Sequence, residues 1–171
     1  MHFWEARIRS QALLDDVALL QGMVYVDLNP VRAAMASSVE DSDYTAAQQR
    51  FRALMGEEDE DAALPRLAVL RGESAEAEEQ ALPFTLTDYL ELVDTTGRCC
   101  VAGKRGFIGE TVPRLLTALH LDTDTWLARM RSDRGSAHRA LGAPAALRAF
   151  AGRMKQRWLH GIAVAEALYP T

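Results

Sequence analysis

The sequence has few of the cysteines and long apolar runs that are typical of disulfide-bonded or membrane-spanning proteins. Its 171 residues include only two cysteines, and these are neighbours, Cys99 and Cys100. Because adjacent cysteines cannot join distant segments, this usage fits a reducing cytoplasm better than secretion. The apolar runs are far shorter than the ~20 residues that cross a bilayer. No charged leader precedes an apolar core, so we expect neither a signal peptide nor a membrane partner.

The charged residues are divided unevenly along the chain. The net charge is −5, but residues 1–96 hold 7 basic and 19 acidic side chains. Residues 97–171 hold 12 basic and 5 acidic side chains. A basic second half can bind polyanions, although a helical surface covered with solvated arginines would give the same count. Apolar residues make up 49% of the chain, which favours a packed core over disorder.

The first 36 residues predict a strand followed by a helix. Residues 6–13 alternate loosely and predict an edge strand. Asp15 is then predicted to cap a helix, whose buried stripe recurs at helical spacing: Val17, Leu20, Val24 and Leu28. A second face combines small and polar residues: Ala18, Gly22, Tyr25 and Asn29. This face predicts that Tyr25 lies above an open groove. Asn29-Pro30 ends or kinks the helix, or begins a new turn.

The remaining residues predict helices separated by an acidic linker. A helix is expected from about residue 43 to 55, with Gly56 past its end. Residues 57–82 carry two acidic clusters and predict a mostly mobile linker. Pro83, with Thr87 or Asp88, introduces a helix that ends near Gly97. The glycine-rich segment 97–109 is either a flexible turn or a phosphate-contacting loop. A final helix from Pro144 is expected to bury one face: Leu147, Phe150, Ala151, Met154 and Trp158.

Three stretches near the start of the chain carry a resemblance to a known family. They are Phe3-Trp4-Glu5, Ser10-Gln11-Ala12-Leu13-Leu14-Asp15 and Tyr25-Val26-Asp27-Leu28-Asn29-Pro30-Val31-Arg32-Ala33. Over residues 3–36 the chain resembles REP-associated tyrosine transposases, which are single-tyrosine members of the His-hydrophobe-His nuclease superfamily. Weaker echoes at Asp43-Tyr44-Thr45, and from Leu82-Pro83-Phe84 to Lys104-Arg105-Gly106, extend the resemblance along most of the chain.

The resemblance implies strand-transfer chemistry on DNA. Tyr25 would be the nucleophile that forms a 5′-phosphotyrosine link, and Asn29 would be the third ligand of a divalent metal, Mg²⁺ or Mn²⁺. Four positions on a helix bring both side chains to one face, within ~6 Å at Cβ. The substrate implied is single-stranded, hairpin or palindromic DNA of repetitive elements. The expected location is cytoplasmic, with association to the nucleoid.

Basic residues along the whole chain are candidates for phosphate contacts. Those near the tyrosine are Arg32 and the strand residues Arg7 and Arg9. The glycine-rich segment supplies Arg98, Lys104 and Arg105. The final helix supplies Arg148, Arg153, Lys155 and Arg157, which flank an aromatic face and could follow a DNA backbone.

The sequence departs from the family in its histidines. None of His2, His120, His138 and His160 forms a His-x-His pair, so we expect that this chain alone does not hold the metal. The family places about a hundred residues before the block at Phe3. We therefore expect the C-terminal portion of a transposase, from a decayed copy, a mis-set start codon or a split gene. Such a portion is expected to act only beside an intact transposase subunit or in a dimer.

The expected fold class is mainly α, as the C-terminal part of an α+β transposase fold with one or two orphan strands. Residues 1–56 are predicted to be a remnant of the catalytic domain, 57–82 an acidic linker and 83–171 a basic helical region. The function expected is DNA transposition by single-strand nicking and joining, inactive in this chain alone. The alternatives are a DNA-binding module without chemistry and a relic that folds poorly.

Overall fold

The chain is mainly helical, as the sequence predicts. A computed structural model describes residues 10–56, 67, 69–71, 81–100, 113–132 and 138–170. Their elements, in chain order, are β1 Ala12–Leu13, α1 Asp16–Asp27, α2 Asn29–Arg32, α3 Ala46–Leu54, β2 Leu70–Arg71, β3 Leu82–Thr85, α4 Leu86–Cys100, α5 Arg114–Ala118, α6 Thr123–Arg131, β4 Ala140–Leu141, α7 Pro144–Arg153 and α8 Ile162–Leu168. Within these ranges no helix has both the length and the apolar character needed to cross a bilayer.

Helix α1 begins and ends where the sequence predicts. The Asp15 carboxylate accepts a hydrogen bond from the Ala18 backbone N–H at 2.8 Å, which satisfies a donor at the start of the helix. The predicted stripe is buried at Leu20, Val24 and Leu28. The helix stops before Pro30, and a second short helix, α2, starts immediately with Pro30 in its first turn. The new turn predicted at Asn29-Pro30 is therefore present, but the N-cap position predicted for Asn29 is occupied by Leu28, whose side chain makes no capping hydrogen bond.

Two parallel strand pairs join distant parts of the chain. Strand β1 pairs with β4, so that Ala12 lies opposite Ala140. Residues 10–11 are not part of the strand, and residues 1–9 lie outside the described residues. The predicted strand over 6–13 is therefore observed only at Ala12–Leu13. Its partner, 128 residues later, has no signal in local sequence.

Strand β2 lies inside the segment predicted to be a linker. Leu70 is fully buried, and it pairs with Leu82 of β3 in parallel orientation. At these positions the chain is a part of the packed structure, because a buried leucine in a strand cannot belong to a mobile linker. Most of residues 57–80, including both acidic clusters, lie outside the described residues.

Helix α4 lies at the centre of the core. Its residues Tyr89, Leu92 and Val93 are fully buried and pack in one cluster with residues of α1, α6 and α8. The indole N–H of Trp126 in α6 donates to the Thr96 hydroxyl at 3.1 Å, so this buried polar pair is satisfied. One hydrophobic core is thus shared by the described parts of 1–56 and 83–171.

The predicted end of α4 near Gly97 is wrong. The helix continues to Cys100, and a side chain at Gly97 would approach Leu28 Cδ2 to 3.0 Å. Gly97 therefore permits close packing of α4 against α1, and it does not terminate the helix. The Arg131 guanidinium donates to the Cys99 carbonyl at 2.8 Å, which satisfies one acceptor at the end of α4. Of the residues predicted to introduce this helix, Pro83 lies in β3, whereas Thr87 and Asp88 lie in the first turn of α4.

The predicted apolar face of the last long helix is also wrong in its second half. Helix α7 ends at Arg153, and both Met154 and Trp158 are exposed. The termination is local: Lys155 has a left-handed backbone with φ +55°, and the Gln156 N–H donates to the Ala151 carbonyl at 2.9 Å. This is the six-to-one bond of a Schellman motif, which usually places glycine at the left-handed position.

Candidate functional site

Tyr25 is held by an arginine from the next short helix. The tyrosine is half-buried on α1, and its hydroxyl accepts a hydrogen bond from Arg32 Nη2 at 3.1 Å. The guanidinium carbon of Arg32 also lies 4.1 Å from the centre of the tyrosine ring, within the range of a cation–π interaction. Because α2 follows α1 after a single residue, Arg32 lies about two helical turns beyond Tyr25 and on the same side, within reach of the phenol. The phenol oxygen therefore sits against a fixed positive charge.

Asn29 lies in the position that the motif predicts, but no hydrogen bond joins its side chain to Tyr25 among the described residues. It is exposed at the first residue of α2, and the hydrogen bond of the phenol is to Arg32 instead. A magnesium ion prefers six oxygen ligands, and one exposed carboxamide does not fit that requirement. Among the described residues no group of three or more His, Cys, Asp or Glu side chains is placed to bind a metal ion. The residues present here do not fit the metal that the family resemblance implies.

An apolar cavity adjoins Tyr25, in agreement with the open groove predicted for this face of the helix. Its volume is about 220 Å³, and Gly22 lies on its wall beside the tyrosine. The walls come from β1, α1, α6 and β4, with these lining residues: Gln11, Leu13, Gln21, Gly22, Tyr25, Val26, Arg129, Met130 and Leu141. Tyr25 thus faces a space large enough for a small ligand.

Asp27, two residues after the tyrosine, has a structural role that sequence reasoning missed. It is buried, accepts a hydrogen bond from the Tyr89 hydroxyl and accepts another from the Ala46 backbone N–H at 3.1 Å. Burial raises the pKa of Asp27, and Tyr89 and Arg50 oppose this shift only in part. Burial and the carboxylate beside it also raise the pKa of Tyr89. The spacing contained a signal, because Asp27 follows Val24 by three residues on the buried stripe.

The structure separates the proposed DNA-contacting residues into groups. Arg98 pairs with Asp94 at 2.7 Å, and Arg148 pairs with Glu166, so both cations already have acidic partners. Arg32 is engaged with Tyr25. Four residues, Arg7, Arg9, Lys104 and Arg105, lie outside the described residues.

The remaining three cations lie together at the end of α7 and just after it. Arg153, Lys155 and Arg157 are exposed, with Trp158 61% exposed beside them. We call residues 153–158 the basic-aromatic segment. The His160 ring lies 5.6 Å from the Trp158 ring, which places a second flat side chain next to the segment. Exposed cations interleaved with an aromatic ring can contact phosphates and stack on bases.

No protein-family model matches the chain, and neither a curated protein nor a solved structure matches it. The resemblance to transposases stays a prediction from the residue pattern around Tyr25.

Proposed function

We propose that this chain is a transposase-derived protein that binds single-stranded DNA and carries Tyr25 as a nucleophile for strand transfer. The observation that supports this most directly is the contact of Arg32 with the Tyr25 hydroxyl at 3.1 Å. Positive charge placed at an attacking oxygen also lies where a phosphate would carry negative charge in the transition state. A tyrosine that only fills space in the core would not need an accessible hydroxyl with an arginine beside it.

The proposed step exchanges one phosphoester bond for another. The Tyr25 oxygen forms a bond to the phosphorus, the bond between phosphorus and the 3′ oxygen breaks, and the DNA 5′ end remains on the tyrosine. The phenol proton goes to solvent, and the departing 3′ oxygen takes up a proton. Arg32 would balance charge on the phosphate, but no group in the described site assists the leaving oxygen. We therefore expect the chain alone to leave ordinary phosphodiesters intact and to act only beside a partner, such as an intact transposase subunit.

A substrate with a better leaving group tests this assignment. A 3′-bridging phosphorothiolate releases a thiolate, which needs less protonation than an alkoxide. With a pool of hairpin oligonucleotides modified in this way, we expect a covalent protein–DNA adduct on denaturing gels. Tyr25→Phe should abolish the adduct, and Arg32→Gln should slow its formation on the order of 10²-fold because one transition-state donor is removed.

Tyr44 provides the matched control, since it is 97% exposed and has no role in the proposed step. Tyr44→Phe should form the adduct at the rate of the unchanged protein. An adduct that survives Tyr25→Phe would assign the chemistry to another residue. The absence of any adduct on the activated substrate would remove strand transfer from the proposal.

The second candidate function is DNA binding without chemistry, and the basic-aromatic segment supports it. Stacking of a base on an aromatic side chain contributes about 1–3 kcal/mol. Trp158→Ala is therefore expected to weaken binding of a single-stranded oligonucleotide by roughly tenfold in fluorescence anisotropy. Replacing Arg153 or Arg157 with glutamine should lower the slope of log affinity against log salt by about 0.7 for each phosphate that is no longer neutralised.

Two substitutions elsewhere on the surface control for this second candidate. Tyr44→Ala removes an exposed aromatic ring, and Arg148→Gln removes an arginine that is already paired with Glu166. Neither should change the affinity as strongly as the substitutions in the segment. Equal decreases in affinity at both places would mean that the segment is not the interface, and affinity that does not depend on salt would exclude phosphate contacts.

A further inference from the structure

Two histidines from separate segments of the chain lie side by side. The ring centres of His138 and His160 are 5.1 Å apart, and the planes of the two rings are tilted by 33°. His138 lies just before β4, and His160 lies in the turn that leads into α8. The fold therefore brings together two imidazoles that are distant in the sequence.

The backbone on both sides holds this pair in position. The Gln11 side chain donates to the His138 carbonyl at 2.8 Å, next to the pairing of β1 with β4. On the other side, His160 lies between buried Leu159 and Gly161, which has φ +112°. A Cβ at Gly161 would lie 2.5 Å from His138 Nδ1. Because the absence of a side chain at residue 161 leaves room for the His138 ring, the contact between the two rings is built into the backbone.

The pair offers nitrogen lone pairs to a ligand. In the described structure His138 Nδ1 is buried without a hydrogen-bond partner, and it faces Gly161. The nitrogen of His138 that is left for a ligand is therefore Nε2. Burial, with Arg129 and His160 nearby, lowers the pKa of His138, so this ring is neutral near pH 7, which is the form that binds metal ions. His160 is exposed, so an ion in solution can reach its ring.

The spacing of the two rings matches that of two ligands on one metal ion. An imidazole nitrogen lies about 2.1 Å from a tetrahedral zinc ion, and the ring centre lies about 1.1 Å behind that nitrogen. Two such ligands at a tetrahedral angle have ring centres about 5 Å apart, and His138 and His160 have this separation. Imidazole is a ligand for Zn²⁺, Ni²⁺ and Cu²⁺, whereas Mg²⁺ prefers oxygen.

We infer that His138 and His160 together bind one divalent transition-metal ion, of the class of Zn²⁺ and Ni²⁺, with solvent in its remaining positions. The ion joins the segment before β4 to the turn before α8. A structural zinc site has four protein ligands, so a site with two is weaker, and we expect half-saturation in the micromolar range. This inference does not depend on strand transfer by Tyr25.

Trp158 provides a signal for binding, because its ring centre lies 5.6 Å from that of His160. The whole chain, prepared without a histidine tag, is titrated with Ni²⁺ while its tryptophan emission is recorded. We expect saturable quenching that excess Zn²⁺ reverses by displacing Ni²⁺ and that Mg²⁺ does not affect. Trp158→Phe should lose most of the quenching but bind Zn²⁺ unchanged in isothermal titration calorimetry.

Substitutions assign the ion to its ligands. His160→Gln changes an exposed side chain, and it should weaken the binding of both ions at least tenfold, as should His138→Gln. The other two histidines supply the controls, so His120→Gln and His2→Gln should bind both ions as the unchanged protein does. Arg129→Gln should bind Zn²⁺ severalfold more tightly, because it removes a positive charge that acts on His138.

Two results would overturn the inference. The first is no saturable binding of Ni²⁺ or Zn²⁺ up to millimolar concentration. The second is binding by His160→Gln that is as tight as in the unchanged protein, which would place the ion elsewhere. Thermal unfolding shows whether each variant has folded. Should His138→Gln fail to fold, His160→Gln still decides, because its side chain lies at the surface.

Discussion

Replacing Asp27 with alanine is expected to lower the free energy of unfolding by about 3 kcal/mol. The carboxylate joins three helices, because it lies at the end of α1, accepts from Tyr89 of α4 and accepts from the N–H of Ala46 at the start of α3. Removing it leaves the buried Tyr89 hydroxyl without its acceptor. Arg50, whose guanidinium carbon lies 5.5 Å from the Tyr89 ring centre, would also lose a nearby negative charge. Urea unfolding followed by circular dichroism measures the change.

Asp16→Ala is the matched control, since Asp16 is an exposed aspartate in the first turn of the same helix. It should lose less than about 1 kcal/mol, the typical value of a carboxylate near a helix N-terminus. A similar small loss in Asp27→Ala would show that the buried carboxylate does not hold the helices together.

The pH dependence of Asp27 has a definite sign. Burial raises its pKa in the folded state above the ordinary value of 3.8, so the folded protein holds this proton more tightly than the unfolded chain. The stabilisation that comes from this more tightly held proton is fully present below about pH 4, and it is lost as the pH rises through the pKa of Asp27 in the folded protein. Asp27→Asn cannot titrate, so the difference in stability between it and the unchanged protein should vary with pH over this window.

Replacing Gly161 with alanine is expected to destabilise the protein by about 3 kcal/mol. Gly161 precedes α8 with φ +112°, a conformation that residues with a Cβ rarely adopt. A Cβ at this position would also lie 2.5 Å from His138 Nδ1, which is far inside van der Waals contact. Differential scanning calorimetry should show a correspondingly lower Tm.

Gly152 is the control for this substitution because it lies in α7 with no atom within 4 Å of an added Cβ. Gly152→Ala should stabilise the helix by about 0.5–1 kcal/mol. The double variant Gly161→Ala with His138→Ala separates the two causes: relief of the clash should recover part of the stability, while the backbone cost remains. A complete recovery would mean that the backbone conformation at residue 161 carries no strain.

The sequence predicted the elements whose signals are local. The Asp15 side chain caps the start of α1, the spacing of the apolar residues defines the helix, and it ends before Pro30. Gly56, with φ +75°, follows the end of α3 as predicted. These residues act on atoms within a few positions of themselves, so neither packing nor topology was needed.

The features that were missed depend on distant partners. Strands of two residues, such as Ala12–Leu13, have too few positions for an alternating pattern, and they exist because Ala140–Leu141 lies alongside. The end of α7 was missed because Lys155 occupies a left-handed position that glycine usually marks. At Gly97 the sequence predicted a helix end that does not exist. In a sequence, a glycine that is needed for close helix packing cannot be told from a glycine that ends a helix.

The sequence predicted the candidate site only in part, because some of its residues also come from distant parts of the chain. The sequence identified Tyr25 and the open face around it, but it could not show that Arg32 reaches the phenol. Arg129 contributes to this cavity from a helix about a hundred residues later, and nothing in local sequence connects the two. The roles of Asn29 and of the described DNA-contacting residues stay predictions, which the binding and adduct experiments above address.

The pairing of β1 with β4 has a consequence for protein synthesis. The second oxygen of the Asp15 carboxylate accepts the backbone N–H of Ala143 at 2.6 Å, so the residue that caps the tyrosine helix is also bonded to the start of α7, 128 residues further on. Translation proceeds from the N-terminus. A nascent chain can therefore cap this helix as soon as residues 15–18 have left the ribosomal exit tunnel, but it cannot form the contact with α7 until residue 143 has done so. During that interval the apolar residues of α1 that pack against later helices, such as Leu20 and Val24, lack those partners.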